Sequence, residues 1–212
     1  MTVAELINLM GTLSLGNENI SAQERAIYLQ YLNLAHLDLY SATANLNQSL
    51  LLCQTLENEE GASSMTLPHN PFLIDRVYIA SLKKGLKQSS LANILAVDPD
   101  LSQTGDPQSF YVQKDQLWLY PHQTSSYTTT VWYVPNPAPL TENTPEEDIP
   151  YPIPYHPVLA DGALYYVFQD EGGFKNTQRE SQAKARWQTG KARLLSYLYY
   201  NTGYRFSTFR SV

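Results

Sequence analysis

Two helix-start signals stand near opposite ends of the chain, and the stretch they bracket has strand chemistry at its centre. In Ser21-Ala22-Gln23-Glu24 a hydroxyl and a carboxylate can each satisfy an orphan amide of a helix N-terminus, and Thr177-Gln178-Arg179-Glu180 repeats the pattern. The first box predicts a helix to about Tyr40, in which Tyr28, Tyr31, Leu32, Ala35 and Leu39 recur at helical spacing as one apolar stripe. Such a stripe must pack on another helix. Val3 to Met10 reads as a shorter helix closed by Gly11, completing a hairpin with it. At the other end, Leu159, Ala163, Tyr166 and Val167 share a face before Gly172-Gly173, and the helix from Thr177 carries Trp187, Leu194, Leu195 and Leu198.

Between these helices the pattern changes to short segments separated by turn residues. Leu50 to Gln54 is a candidate strand, and Gly61-Ala62-Ser63-Ser64 a loop. Phe72 to Ile79 is a clearer strand, entered through Leu67-Pro68 and Asn70-Pro71. Ser89-Ser90 predicts a short capped helix through Leu95, which Pro99 would end. Gly105-Asp106-Pro107 turns the chain. Phe110 to Gln113 and Gln116 to Leu119 are spaced by Lys114-Asp115 as in a tight hairpin, and Tyr127 to Val134 is β-branched and aromatic. From Pro135 to Pro157 the density of proline predicts an extended connection lying on the surface. The expected fold is α+β, with N- and C-terminal helices packed as a helical bundle and an antiparallel β-rich module inserted between them. The expected boundaries are 1–45 for the first helices, 46–140 for the β-rich module, 141–157 for the proline-rich connection and 158–212 for the last helices and tail.

Motifs of catalysis are incomplete. Gly11-Thr12-Leu13-Ser14-Leu15-Gly16 has one residue too many for a nucleophile elbow and does not join a strand to a helix. Gly190-Lys191 looks like the end of a phosphate loop, yet Ala185 and Ala192 stand where glycine and a magnesium-binding hydroxyl belong. His36, His69, His122 and His156 lie far apart, none followed at helical spacing by a second ligand, and His36 is expected to be a core or interface residue. Cys53 follows three leucines and is expected to be a small buried hydrophobe; alone, it can form neither an intramolecular disulfide nor a zinc site. Trp118, Tyr120, Trp132 and Tyr133 could make a stacking platform, but cross-strand packing accounts for them more simply. No enzyme activity, cofactor or metal is expected. The first ten residues lack a basic leader, and no apolar run approaches the ~18 residues of a membrane span.

Charge is divided unevenly. The net charge is −6, which argues against a general nucleic-acid binder. From Lys175 onward, however, Lys175, Arg179, Lys184, Arg186, Lys191, Arg193, Arg205 and Arg210 face Glu180 as the one acid. Few of these cations have an acid three or four residues away, so the segment reads either as a solvated face or as a docking arm for an acidic protein partner or DNA. Glu142, Glu146, Glu147 and Asp148 sit among the prolines; the run Glu146-Glu147-Asp148 could offer carboxylates for acid/base work or calcium, but is most simply solvated. The 16 tyrosines suit half-buried interfaces, which favours assembly over chemistry.

A longer pattern joins these pieces. Leu67-Pro68 leads to the Phe72–Ile79 strand. Then follow Gly105-Asp106-Pro107 with Phe110-Tyr111, Leu117-Trp118-Leu119-Tyr120-Pro121, Tyr133-Val134-Pro135, and Pro154-Tyr155-His156 with Leu159. In order and spacing this resembles the layout of phage head-to-tail adaptors, the connector or ring proteins below the portal, of the tail-tubular-protein-A kind. The stretch Lys83 to Ser102 is longer than that layout expects. The resemblance implies a structural virion protein, made in the host cytoplasm and placed in the neck, with no catalysis and no membrane contact. It implies a ring homo-oligomer, dodecameric to match the portal, with the portal and the next neck or tail protein as partners and genomic DNA passing without sequence-specific binding. On that reading Lys184, Arg186, Lys191, Arg193, Arg205 and Arg210 would meet the portal. Glu142, Glu146, Glu147 and Asp148 would form an acidic surface toward the DNA channel or a neighbouring subunit. The arm from Asn201, where Gly203 breaks the helix, would order on contact. The alternatives are a stopper or tail-tube protein of the same neck, or a carbohydrate-binding module with exposed Trp118 and Trp132.

Overall fold

The computed structural model describes residues 1–16, 20–57, 62, 64–67, 71–122, 125–170 and 175–201. The predicted loop at Gly61 and Ser63, the Pro68 and Asn70 steps, His69, the Gly172-Gly173 stop and the arm with Arg205 and Arg210 lie outside the described residues. The fold is α+β, with helices at both ends of the chain and sheets in the middle. Two compact units result, one from residues 1–49 and 137–212, the other from residues 50–136.

The helical unit starts with α1 (Val3–Leu15) and α2 (Ala22–Thr43). The predicted box caps α2: Ser21 N donates to the Glu24 carboxylate at 2.8 Å, and Glu24 N donates to Ser21 Oγ at 3.3 Å. A second box, Thr2 with Glu5, starts α1. Gly11 does not close α1 as expected; it is buried within the helix, which runs one turn further to Gly16. Gly16, at φ 68°, takes the left-handed conformation that a helix stop favours. The next helix in the chain, α3 (Leu91–Val97), belongs to the other unit. The helical unit is completed by α4 (His156–Gln169) and α5 (Thr177–Asn201). The cap of α5 is Asn176, one residue before the predicted threonine: its Oδ1 accepts from Arg179 N at 3.0 Å.

The core of this unit gathers around α4, which packs on α1, α2 and α5. Leu159, Ala160, Ala163, Leu164 and Val167 are fully buried there, so apolar residues cover more of α4 than the one face predicted. The proline-rich connection departs from its expected place on the surface. It makes short 3-10 turns at Glu146–Asp148 and Ile153–Tyr155, and drives Leu140, Ile149 and Tyr151 into the helical core. Alternating prolines with large apolar residues lets an irregular strap cover helix ends while burying side chains. Asn33 secures it: its amide donates to Leu140 O at 3.0 Å and its Oδ1 accepts from Leu140 N at 2.7 Å.

The approach of α4 to α5 rests on two glycines. A Cβ on Gly162 would lie 2.7 Å from the Trp187 ring, and one on Gly190 would lie 2.7 Å from Val158 Cγ2. Gly190 is thus a contact point, where a side chain is excluded. Gly190→Ala is expected to lower the unfolding free energy by about 1 kcal/mol, since an overpacking cost of about 1–3 kcal/mol outweighs a helix-propensity gain of about 1 kcal/mol. Urea unfolding of Gly190→Ala with and without Val158→Ala checks the cause, because the second change should recover part of the loss.

The other unit contains two four-stranded sheets. One, in the order β1 (Leu52–Glu57), β8 (Thr128–Pro135), β3 (Pro71–Ile79), β4 (Lys84–Gly85), is antiparallel throughout. The other runs β2 (Ser64–Thr66), β7 (Gln116–Tyr120), β6 (Ser109–Gln113), β5 (Lys87–Gln88), with one short parallel pair, β5 with β6. Their facing side chains, among them Val77, Ile79, Phe110, Leu117, Leu119, Val131 and Tyr133, share one core. The predicted hairpin forms between β6 and β7, with Lys114 at φ 57° in its turn. The long Lys83–Ser102 stretch includes α3, capped by Ser90, whose Ile94 packs with Tyr111 and Tyr120. Asp98 locks its exit by accepting from Gln103 N, Ser102 N and Tyr120 Oη at 2.9, 3.1 and 3.1 Å. Those bonds, the one from Gln103 foremost, hold the Asp98 carboxyl below its usual range.

Candidate docking surface on the C-terminal helix

Helix α5 buries one narrow stripe, Ala183, Trp187, Leu194 and Leu198, and leaves most of its circumference exposed. A helix of 25 residues with so thin a buried edge presents a large free face. Its cations divide into two sorts. Arg186 Nε donates to Asp161 Oδ1 at 2.6 Å, and Lys191 Nζ reaches both oxygens of Asp38 at 3.0 and 3.1 Å while lying 5.6 Å from the Trp187 ring centre. Arg179, at the other end, donates to Ser14 O and so satisfies a carbonyl at the end of α1. These side chains tie α5 to α1, α2 and α4. Lys184 is exposed above the Tyr165 ring, and Arg193 is exposed with no ion pair among the described residues.

The spacing of acids along α5 does not reveal these partners, because Asp38 and Asp161 come from other helices. Tertiary pairing, unlike local pairing, leaves no mark in a sequence window. The acids of the connection divide in the same way. Glu142 accepts from Arg25 at 3.1 Å, and Glu146 pairs with the Met1 amine and stands 4.0 Å from His156 Nδ1. Glu147 and Asp148 are exposed.

Beside Arg193 lies an open groove of about 720 Å³ between the Ile153–Tyr155 turn and the last turns of α5. Thr189, Ala192 and Ser196 are among its lining residues, with Tyr155, Tyr197 and Tyr200 as its aromatic members. Tyr155 and Tyr197 lean together with ring centres 5.4 Å apart, while Tyr200 is 80% exposed. The arrangement suits protein recognition: tyrosine gives apolar area with a hydroxyl, and arginine gives a fork of donors. No single sequence signal locates this groove, because the 3-10 turn that forms its wall comes from the proline-rich connection.

The histidines of the helical unit serve as core residues. His36 and His156 are buried in the helical unit. His36 Nδ1 faces the Tyr151 hydroxyl at 3.2 Å, as expected of a core histidine, and His156 Nε2 is 2.8 Å from Tyr151 O. Cys53, expected to be buried, is exposed on β1, because the leucines before it belong to a 3-10 turn and the strand edge rather than to one apolar run. Among the described residues no group of three His, Cys, Asp or Glu side chains could hold a metal ion. Trp118 and Trp132 lie on different sheets, each half-buried: Trp118 stacks on Tyr111 at 5.9 Å, and the Arg76 guanidinium covers Trp132 at 5.8 Å. They form no common platform. No described helix is long and apolar enough to cross a membrane.

The helical unit thus presents an exposed helix face that carries tyrosines and cations, a composition suited to contacts with other proteins. Comparison with known families agrees. Residues 1–208 match the family model of the SU10 adaptor protein, and the chain belongs to that family. Its role is that of a phage structural adaptor, a virion component that interacts with other head and tail proteins. No curated protein matches the chain.

Proposed function

We propose that this adaptor assembles as a dodecameric ring beneath the portal and links the DNA-filled capsid to the tail without catalysing a reaction. The observation that carries the reading is the exposed face of α5, with its tyrosines, Lys184 and Arg193, in a chain of net charge −6. A cationic helix on an acidic protein is a directional device: it speeds encounter with an acidic portal surface and fixes the orientation of docking. Lys184, Arg186, Lys191 and Arg193 supply that charge, and Arg205 and Arg210 extend it along the chain. The exposed Glu147 and Asp148 suit a wall past which DNA slides, since like charge repels phosphate.

Arg186 and Lys191 also hold α5 to its neighbours, so the discriminating variant changes the other two. Lys184→Glu with Arg193→Glu is expected to leave the thermal midpoint within a few degrees, since neither side chain has a carboxylate partner among the described residues. Its affinity for the portal of the same phage, measured by native mass spectrometry or biolayer interferometry in a salt series, should fall at least tenfold. The salt dependence should weaken as well. Unchanged affinity would place the portal contact elsewhere.

A further inference from the structure

Helices α2 and α5 share a feature that the fold does not require. The exposed side of α2 carries Gln23, Gln30, Leu34, Leu37 and Ser41, with half-buried Ile27 completing steps of four and three residues. Leu34 is 46% and Leu37 48% exposed. The exposed side of α5 follows the same steps through Gln182, Ala185, Thr189, Ala192, Ser196 and Tyr199. Neither row contains a charge. The charges of α2 stand off its row: Glu24 serves the cap, Arg25 binds Glu142 and Asp38 binds Lys191. An uncharged row at this spacing is the pattern of a helix that packs on another helix.

We propose that these two faces are the halves of one contact between neighbouring copies of this chain, the α2 ridge of one copy seated in the α5 groove of the next. This rests on the ring reading above and supplies its interface. Size selects the pairing. Leu34 and Leu37 form a ridge, whereas Thr189, Ala192 and Ser196 line an open groove of about 720 Å³ with Tyr155 and Tyr197 beside them. Charge selects it too. On α5, Lys184 and Arg193 have no carboxylate partner among the described residues, so two α5 faces repel, whereas on α2 Glu24 is the charge without an ion-pair partner among them, Arg25 being held by Glu142 and Asp38 by Lys191. An α2-to-α5 contact uses two different surfaces of one chain, and such a heterologous contact repeats around a ring until it closes.

Disulfide trapping tests this. In a Cys53→Ser background, Leu37→Cys with Ala192→Cys in one chain is expected to give a ladder of covalent multimers on mild oxidation, while either cysteine alone gives none. Mixing the two single-cysteine chains should give covalent dimers only. Dimers from Leu37→Cys alone, or from Ala192→Cys alone, would mean that like faces meet and would overturn the pairing. Absence of any ladder across a concentration series to hundreds of micromolar would overturn the contact itself. Binding of the same double-cysteine chain to the portal, measured separately, distinguishes the two readings: portal binding without a ladder removes this interface and leaves the adaptor role standing.

Discussion

Trp187→Ala is expected to lower the unfolding free energy by about 3–5 kcal/mol, a loss at the top of the range for a single core truncation. Trp187 is 4% exposed, rests against Gly162 of α4 and has the Lys191 ammonium 5.6 Å from its ring centre. Its removal opens a hole that α4 cannot fill, because the position facing it has no side chain. Chemical denaturation followed by far-ultraviolet circular dichroism reads the loss directly. Trp187→Phe should recover a substantial part of it, since an aromatic ring still covers Gly162. A loss below 1 kcal/mol for Trp187→Ala would mean that α4 and α5 are not held by this contact.

Acid is expected to weaken the helical unit through His36. Burial pushes its imidazole down from 6.5 to about 4, with a hydrogen bond to the Ala138 backbone opposing part of that change. The unfolded chain keeps the ordinary value, so between these two pH values it takes up a proton that the folded chain refuses. Stability contributed by neutral His36 is complete above the unfolded value, declines as pH falls through the window and is gone below about 4. The loss amounts to roughly 3 kcal/mol, since each tenfold drop in proton affinity on folding is worth about 1.4 kcal/mol. His36→Gln removes the titrating group. Urea titrations from pH 7.5 to 4 should therefore show a steeper decline for the parent chain than for the variant, the difference between the two slopes being the contribution of His36. Parallel curves would contradict the burial of this imidazole. Its location gives the effect a structural meaning: Tyr151, which faces the ring, belongs to the strap formed by the proline-rich connection.

Much of this architecture was legible where the determining forces are local. The box at Ser21 and Glu24, the Ser90 cap, the Lys114-Asp115 turn and the strand-rich content of Thr128–Pro135 are set by neighbouring residues, and each formed as expected. Features set by distant residues were not legible. Gly11 continues a helix because its turn is buried, and the close contact at Gly190 is hidden from the sequence because its partner, Val158, lies in another helix. The proline-rich stretch read as surface chain because proline excludes regular structure; proline does not exclude burial, and Leu140, Ile149 and Tyr151 go inward. The candidate docking face was visible as an excess of positive charge, whereas the division between paired Arg186 and Lys191 and unpaired Arg193 depends on Asp161 and Asp38. Its tyrosine groove needs two segments to meet.

If this chain joins a phage head to its tail, it must bind the portal. The decisive experiment is the mass, by native mass spectrometry, of the portal of the same phage before and after addition of the purified chain. The expected result is a saturating complex in which the added mass corresponds to one copy of the chain for each portal subunit. A portal whose mass is unchanged in the presence of excess chain would contradict the portal link proposed above.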